Sequence, residues 1–495
     1  MNVNDIYLIS PEISLVGLGL LLLSLDLLWK KKEFFPYVAF LGLLLPIILS
    51  VCLWYDVSNE IGGELTGIKG ALIVDKFSIY FKFIVLGALG LVVLTSTEYL
   101  DRVRDQSGEF LPLLIFSATG MMFLVSASEL ITIYVSLELT TLPLIALIGF
   151  LRHGRSSEAA LKFLILSGIS SALLLYGMIL VWGFSGSTYL TAIAKVVDSQ
   201  ANSGIPFGSY ALLLGVILVV AGFAFKVSAV PFHMWVPDIY EGGTTHVVAF
   251  LSVASKSVAF AVLLRVFYIG FGSLELEWSL LFAVLSAFSM TLGNLVAMVQ
   301  TNIKRLLGYS TIAHAGYMLI GLAAVASRID GDYFSSGPGS LLFYLAAYVA
   351  SNLAAFFAVI SITRKINSDR IEDFAGMGRK APLQAMGLTI GLISLIGLPP
   401  TGLFIGKIML FTSAVDAGLI WLAILGVINS VVSAYYYLKV VRIMYVSEAR
   451  TEEAVFSTIG PKLALLASAI IVVTLGIIPG VLTGVTDAAA IALLP

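Results

Sequence analysis

The sequence predicts an all-α polytopic membrane protein of about fourteen transmembrane helices, and three observations carry that prediction. Of 495 residues, 59% are hydrophobic and only 12% are charged, about half the charged share of an ordinary soluble chain. Mean hydropathy is +1.01. Stretches of about 20 mainly apolar residues, the length that crosses a bilayer, recur along almost the whole chain and leave no polar stretch for a soluble domain. A single soluble core stops growing at about 250–300 residues, and so few charges could not cover one this large.

The expected spans, numbered 1 to 14, run approximately 11–29, 34–55, 74–97, 109–128, 129–151, 157–183, 208–240, 244–270, 277–300, 304–327, 338–363, 382–414, 418–446 and 461–484. Span 1 reads as retained. The chain starts with Asn2, Asn4 and Asp5, and Lys30, Lys31 and Lys32 follow the apolar run, the reverse of a cleavable signal. Spans 7 and 12 are long and interrupted by proline, at Pro231 and Pro237 and at Pro399-Pro400. With no water in the hydrocarbon layer, all of these segments should be helices.

Orientation follows from basic residues in short loops. Sixteen follow odd-numbered spans: Lys30, Lys31, Lys32, Arg102, Arg104, Arg152, Arg155, Lys304, Arg305, Arg364, Lys365, Arg370, Arg379, Lys380, Arg442 and Arg450. Only Lys69, Lys76, Lys195 and Arg328 lie in the opposite loops. Both termini should therefore face outward, to the periplasmic side of a bacterial-type inner membrane. Spans 4 to 8 and 9 to 13 are five-helix blocks, each with its broken helix in fourth place. Because five is odd, consecutive blocks enter from opposite sides, the inverted repeat found in secondary transporters. The expected organisation is a three-helix segment at 1–108, a first repeat at 109–270, a second at 277–446 and a C-terminal helix at 447–495.

Composition also excludes functions. A net charge of −2 provides no basic surface for nucleic acid. One cysteine, Cys52, allows no internal disulfide, no cysteine-ligated iron–sulfur cluster and no CxxC zinc site. The histidines (His153, His233, His246 and His314) are widely scattered, which argues against haem or zinc. No cofactor is expected in this chain, and any redox chemistry belongs to partner subunits.

The informative residues are charges far from span ends, each costing about 2.5–3.5 kcal/mol at a helix centre on insertion scales. They are Glu138 in span 5, Lys162 in span 6, Lys226 in span 7, Lys256 in span 8 and Lys407 in span 12. Burial can lower a lysine pKa by as much as 3–5 units, so such a chain of lysines can gain and lose protons without a cofactor. Lysines outnumber acids here, whereas structural ion pairs would match charges. Lys162 stays open between relay and simple pairing, because Glu158 sits one turn earlier. Lys82 and Arg265 read as snorkelling anchors. Lys226 precedes Pro231 by five residues and His233 follows it by two, while Lys407 lies seven beyond Pro400. Titratable groups beside two helix breaks suggest paired half-channels. His233 and His314 are weaker relay candidates; His246, at the mouth of span 8, reads as structural. Tyr435-Tyr436-Tyr437 reads as lipid- or helix-facing packing.

Several motifs carry a resemblance. Lys226-Val-Ser-Ala-Val-Pro231-Phe-His233-Met-Trp235-Val-Pro237-Asp238-Ile-Tyr240, Gln300-Thr-Asn302-Ile-Lys304-Arg305 and Gly397-Leu-Pro399-Pro-Thr-Gly402-Leu-Phe-Ile-Gly406-Lys407 resemble the subunit N family of the proton-pumping NADH:quinone oxidoreductase, respiratory complex I. Ser-Leu-Glu138-Leu and Ala254-Ser255-Lys256 look like its spans 5 and 8, and the similarity runs roughly from residue 75 to 445. The resemblance implies fourteen helices with two inverted repeats, each with a broken helix. It implies a membrane-arm translocase subunit beside other antiporter-like subunits, with NADH, FMN, iron–sulfur clusters and quinone handled by partner chains. Carried over by position, Glu138 and Lys226 would form an ion pair, Lys256 the central relay and Lys407 the exit-side lysine. Lys162 matches a further family lysine and His233 a polar link between Lys226 and Lys256.

One departure stands out. After Glu241-Gly242 the family has an Ala-Pro-Thr-Pro-like entrance to span 8, where this chain has Gly243-Thr244-Thr245-His246. The alternative readings are a subunit of a sodium/proton antiporter, or of a related hydrogenase- or ferredoxin-linked complex. Sodium prefers hard oxygen ligands, and the mid-span set offers one clear carboxylate, Glu138.

Overall fold

Apolar runs leave a backbone in lipid one local solution, the helix that satisfies every N–H and C=O internally. The computed structural model describes residues 3–28, 34–60, 62–100, 108–201, 210–324, 337–448 and 458–493. Lys30, Lys31, Lys32, Arg102, Arg104, Arg328 and Arg450, seven of the charges that set the expected orientation, lie outside the described residues.

Among the described residues, twelve helices are long and apolar enough to cross a membrane. Each of the fourteen expected segments is helical, but two of them fall short of that length. Span 4 is Phe110–Ser126, 17 residues, because the chain turns extended at Ala127 and bridges Leu72. Span 12 divides into Pro382–Ile396 and Gly402–Asp416, 15 residues each. Span 7 likewise divides, into Tyr210–Val227 and Trp235–Gly242. Between spans 2 and 3 an antiparallel hairpin pairs Glu64–Gly67 with Leu72–Asp75. Asp75 then caps span 3, accepting from Ser78 N at 2.7 Å while Ser78 Oγ accepts from Asp75 N at 3.0 Å.

The helices Thr245–Gly270 (span 8) and Ile303–Ala323 (span 10) are buried along nearly their whole length, and Gly337–Ile366 (span 11) is only a little less so. These three form the centre. Spans 1, 2, 6, 9, 13 and 14 present apolar side chains outward. In lipid, packing rather than water exclusion holds helices together, so small residues mark the contacts. A Cβ on Gly120 would lie 2.6 Å from Thr140 N of span 5. One on Gly293 would lie 2.6 Å from Ala313 N of span 10. Both helix pairs therefore approach backbone to backbone.

Two sequence expectations are corrected here. Lys82 and Arg265 do not snorkel. Lys82 pairs with Glu12 of span 1 at 2.7 Å, both side chains 1% exposed. Arg265 donates to both oxygens of Asp75 at 2.9 Å and sits 5.1 Å over the Phe77 ring. Their charges are matched within the protein because span 3 packs against spans 1 and 8, which bring Glu12 and Arg265 to it.

Candidate functional site

The first group of titratable residues forms where spans 5, 6 and 7 meet. Glu138, half-buried on span 5, accepts a hydrogen bond from Ser171 Oγ of span 6 at 2.5 Å. One turn further on, Thr141 Oγ1 accepts from Lys226 Nζ at 2.9 Å and donates to Leu137 O at 2.7 Å. Glu138 and Lys226 therefore make no direct ion pair; Lys226 instead bonds Thr141, three residues along span 5 from Glu138. Lys226 occupies the last turn of Tyr210–Val227, where the helix dipole favours a cation.

The break after Val227 is braced on all sides. Ser228 adopts φ +64°. The carbonyls left over are taken up by Ala229 N, which reaches Ala224 O at 2.8 Å, and by the Trp235 indole, which reaches Phe225 O at 3.0 Å. Val230 N donates to Ser289 Oγ of span 9 at 2.9 Å. His233 lies beyond the break, 8% exposed, with Nδ1 buried and without a hydrogen-bond partner. It makes no direct hydrogen bond to Lys226 or Lys256.

Lys162 is placed elsewhere. It pairs with Glu158 at 2.8 Å and Asp238 at 2.9 Å, with its side chain 45% exposed. Arg305 extends that network to Asp238 at 2.9 Å and Glu241 at 2.8 Å. The result is a charged strap over spans 6, 7 and 10, apart from the buried lysines.

The second group is continuous and buried. Lys256, 3% exposed, follows a π-helical turn at Leu251–Ser255. It donates from Nζ to Thr311 O at 2.8 Å, and no carboxylate among the described residues pairs with it. Thr311 Oγ1 accepts from Tyr348 at 3.2 Å. The Tyr348 ring lies 5.2 Å from His314, whose Nδ1 is 2.6 Å from the Tyr344 hydroxyl. His314 also neighbours Tyr317, 5.6 Å between rings, and the Tyr317 ring sits 4.6 Å from Lys407 Nζ. Lys256, His314 and Lys407 are thus joined through tyrosines.

Lys407 closes the row by capping a helix. Its ammonium donates to Ile396 O at 2.6 Å, to Leu395 O at 3.3 Å and to Ser430 Oγ at 2.8 Å. Those carbonyls end the first half of span 12, where the break leaves them without partners and the dipole is negative. Gly397 makes the approach feasible. It holds φ +85°, and a Cβ there would lie 2.7 Å from Lys407 Cδ.

A relative from Dehalococcoides mccartyi, named NADH-quinone oxidoreductase subunit N, is 40% identical over 486 residues, covering 97% of this chain and 98% of that one. The chain belongs to the subunit N family of NADH-quinone oxidoreductases. A family model described as NADH:quinone oxidoreductase/Mrp antiporter, TM, matches residues 127–433. A second subunit N, from Moorella thermoacetica, is 40% identical across 97% of each chain. Among solved structures, respiratory complex I from Thermus thermophilus with bound Aureothin contains a chain 32% identical, with a TM-score of 0.78 over 97% of this chain and 99% of that one. The Mrp complex from Dietzia sp. contains one with a TM-score of 0.84 at 19% identity, over 100% of this chain and 98% of that one. That last likeness shows a shared fold.

Within this subunit N chain, sequence reasoning missed Thr141, Thr311, Tyr317, Tyr344, Tyr348 and Ser430. A signal existed for some of them. Thr141 is three residues from Glu138, Tyr317 three from His314, and Tyr344 four from Tyr348, the spacings that share a helix face. Of the tyrosine triplet, Tyr435 faces outward, but Tyr436 and Tyr437 are buried. Tyr436 donates to Asn294 Oδ1 at 2.9 Å, and Tyr437 bonds Ser310.

Proposed function

We infer that this chain is a proton-translocating subunit of the membrane arm of NADH:quinone oxidoreductase, moving protons while quinone reduction proceeds in partner chains. The observation that carries the reading is the buried row from Lys256 through Thr311, Tyr348, His314 and Tyr317 to Lys407. Every member can donate, accept or stabilise a proton, and none carries electrons. NADH, FMN, iron–sulfur clusters and quinone are assigned to partner subunits, since Cys52 alone could not ligate a cluster.

The proposed path is a relay of Glu138, Lys226, His233, Lys256, His314 and Lys407. Glu138 acts on Lys226 through space, so a charge moving near one alters the other. Lys256 takes the proton on, and the orphaned Nδ1 of His233 offers a water its second partner on the way. Lys407, held by carbonyls and a tyrosine face, stores the proton before release. Lys162 acts at a distance, tying the second half of span 7 to span 6 by way of Asp238. A potential of 100 mV opposes each outward charge by about 2.3 kcal/mol, which the coupled reaction must exceed.

The inverted repeat supports this path. Span 4 packs on 5 as span 9 packs on 10, and span 6 packs on the first half of 7 as span 11 does on that of 12. Each block breaks its fourth helix beside a lysine. We place both termini on the periplasmic side of a bacterial-type inner membrane, and adjacent antiporter-like subunits and lipid against the apolar outer helices.

In complex I reconstituted into vesicles, Lys256→Ala or Glu138→Ala should abolish most proton pumping while the complex still assembles. Normal pumping by either variant would remove that residue from the path. Lys226→Arg should fail as badly as Lys226→Ala, because arginine does not deprotonate in this range.

A further inference from the structure

A cavity of about 780 Å³ opens at the ends of spans 3, 8, 10 and 11. None of the relay residues lines it. His246 does, at 7% exposure, in the segment where this chain departs from its family's usual sequence. Its Nε2 lies 3.2 Å from Thr95 O. A carbonyl only accepts, so the neutral ring carries its hydrogen on Nε2 and leaves Nδ1 as the basic position. The Tyr99 ring lies 5.1 Å from it at a tilt of 39°, and the Tyr99 hydroxyl is 3.4 Å from Thr244 Oγ1. Span 3 thereby fixes the plane of the imidazole.

The charges around it select for protons. On the wall, Lys304 is paired with Asp369 at 3.0 Å, and Glu241 with Arg305 at 2.8 Å. Both carboxylates among the described lining residues are engaged in ion pairs and are not free to ligate sodium or potassium. Arg155 and His153 come from the turn between spans 5 and 6, Arg364 from the end of span 11, and Arg370 from the turn beyond it. A cationic rim repels metal cations and also disfavours a lasting imidazolium, so a proton taken by the ring is readily passed on.

Polar groups continue inward. Ser252, six residues on and about 9 Å along the helix, accepts from Asn352 Nδ2 at 2.7 Å. The buried Tyr240 hydroxyl lies near Ser252 and Thr311, and the backbone carbonyl of Thr311 receives Lys256.

We propose that His246 is a proton-loading residue, taking protons on Nδ1 from this cavity and passing them inward by water, past Ser252 and Tyr240, to the Nζ of Lys256. The cavity is then a proton inlet. The proposal rests on the proton-translocating reading above.

The test uses the whole complex in vesicles, with NADH oxidation and proton flux followed together. His246→Gln keeps a donor for Thr95 but binds no proton, and its flux should fall several-fold. His246→Ala should lose as much and regain flux when imidazole is added, the gain following the basicity of a series of methylimidazoles. Sodium should alter none of these fluxes. Wild-type flux in His246→Gln at every pH tested would overturn the proposal, and that variant decides the matter if His246→Ala does not assemble. Equal rescue by thiazole, which has the shape but little basicity, would show packing instead and also overturn it. A Lys256→Ala complex that still pumps would sink the underlying reading itself, whatever His246 does.

Discussion

Lys256 and Lys407 meet the same difficulty with similar means: each is a buried lysine with no carboxylate in contact among the described residues. Carbonyl oxygens and a tyrosine face give partial charge without fixing the proton as firmly as an ion pair would. Lys226 differs in having Glu138 near and in donating to Thr141. Hydrogen bonds to charged groups contribute about 1.5–3 kcal/mol, so Thr141→Val should shift the balance at Lys226 by about tenfold or more. Proton flux at saturating NADH would report it, with assembly unchanged; unaltered flux would mean that Lys226 does not depend on the threonine. The lysines were legible in the sequence because charge in an apolar run is conspicuous. Tyr317, Tyr344 and Tyr348 were not, since tyrosine is ordinary in a membrane helix and only its neighbours reveal its role.

At the scale of elements, the two broken helices are unlike in detail. The first break is filled by protein: Ala229 N and the Trp235 indole take its free carbonyls. The second is filled by the lysine itself, which reaches back to Leu395 and Ile396. Gly397 is the hinge of that arrangement. A non-glycine residue in the left-handed region costs about 1–2 kcal/mol, and its Cβ would also push Lys407 aside. Gly397→Ala should therefore lose pumping out of proportion to its loss of thermal stability. Gly480→Ala, where an added Cβ meets nothing within 4 Å, should change neither. Equal effects of the two would show that the hinge has no special part. The prolines announced both breaks; which group occupies each was a matter of what packs beside it.

For the molecule as a whole, spans 8, 10 and 11 form an almost fully buried centre, and the N-terminal segment is fastened to it by Arg265 and Asp75. Removing one member of a buried pair costs about 3–5 kcal/mol. Arg265→Ala should lower the stability of the complex by that order, measured by thermal disassembly in detergent. Pairing Arg265→Met with Asp75→Asn should recover much of it. If Arg265→Ala is neutral, the N-terminal segment is held by its apolar contacts alone.

The sequence by itself determined that the chain crosses the membrane many times, where it breaks and which charges lie within its spans. Hydropathy, proline and charge act locally, and in lipid a local pattern has only one backbone solution. Tertiary structure alone decided the rest. It left spans 4 and 12 too short to stand as single long crossings, and it turned Lys82 and Arg265 from supposed surface anchors into buried pairs. It drew Lys162 to the charged strap and gave Lys226 to Thr141 rather than to Glu138. It also gathered tyrosines from two helices into the row between Lys256 and Lys407. Each outcome depends on which helix stands beside which face, and close packing of small residues between distant segments sets that.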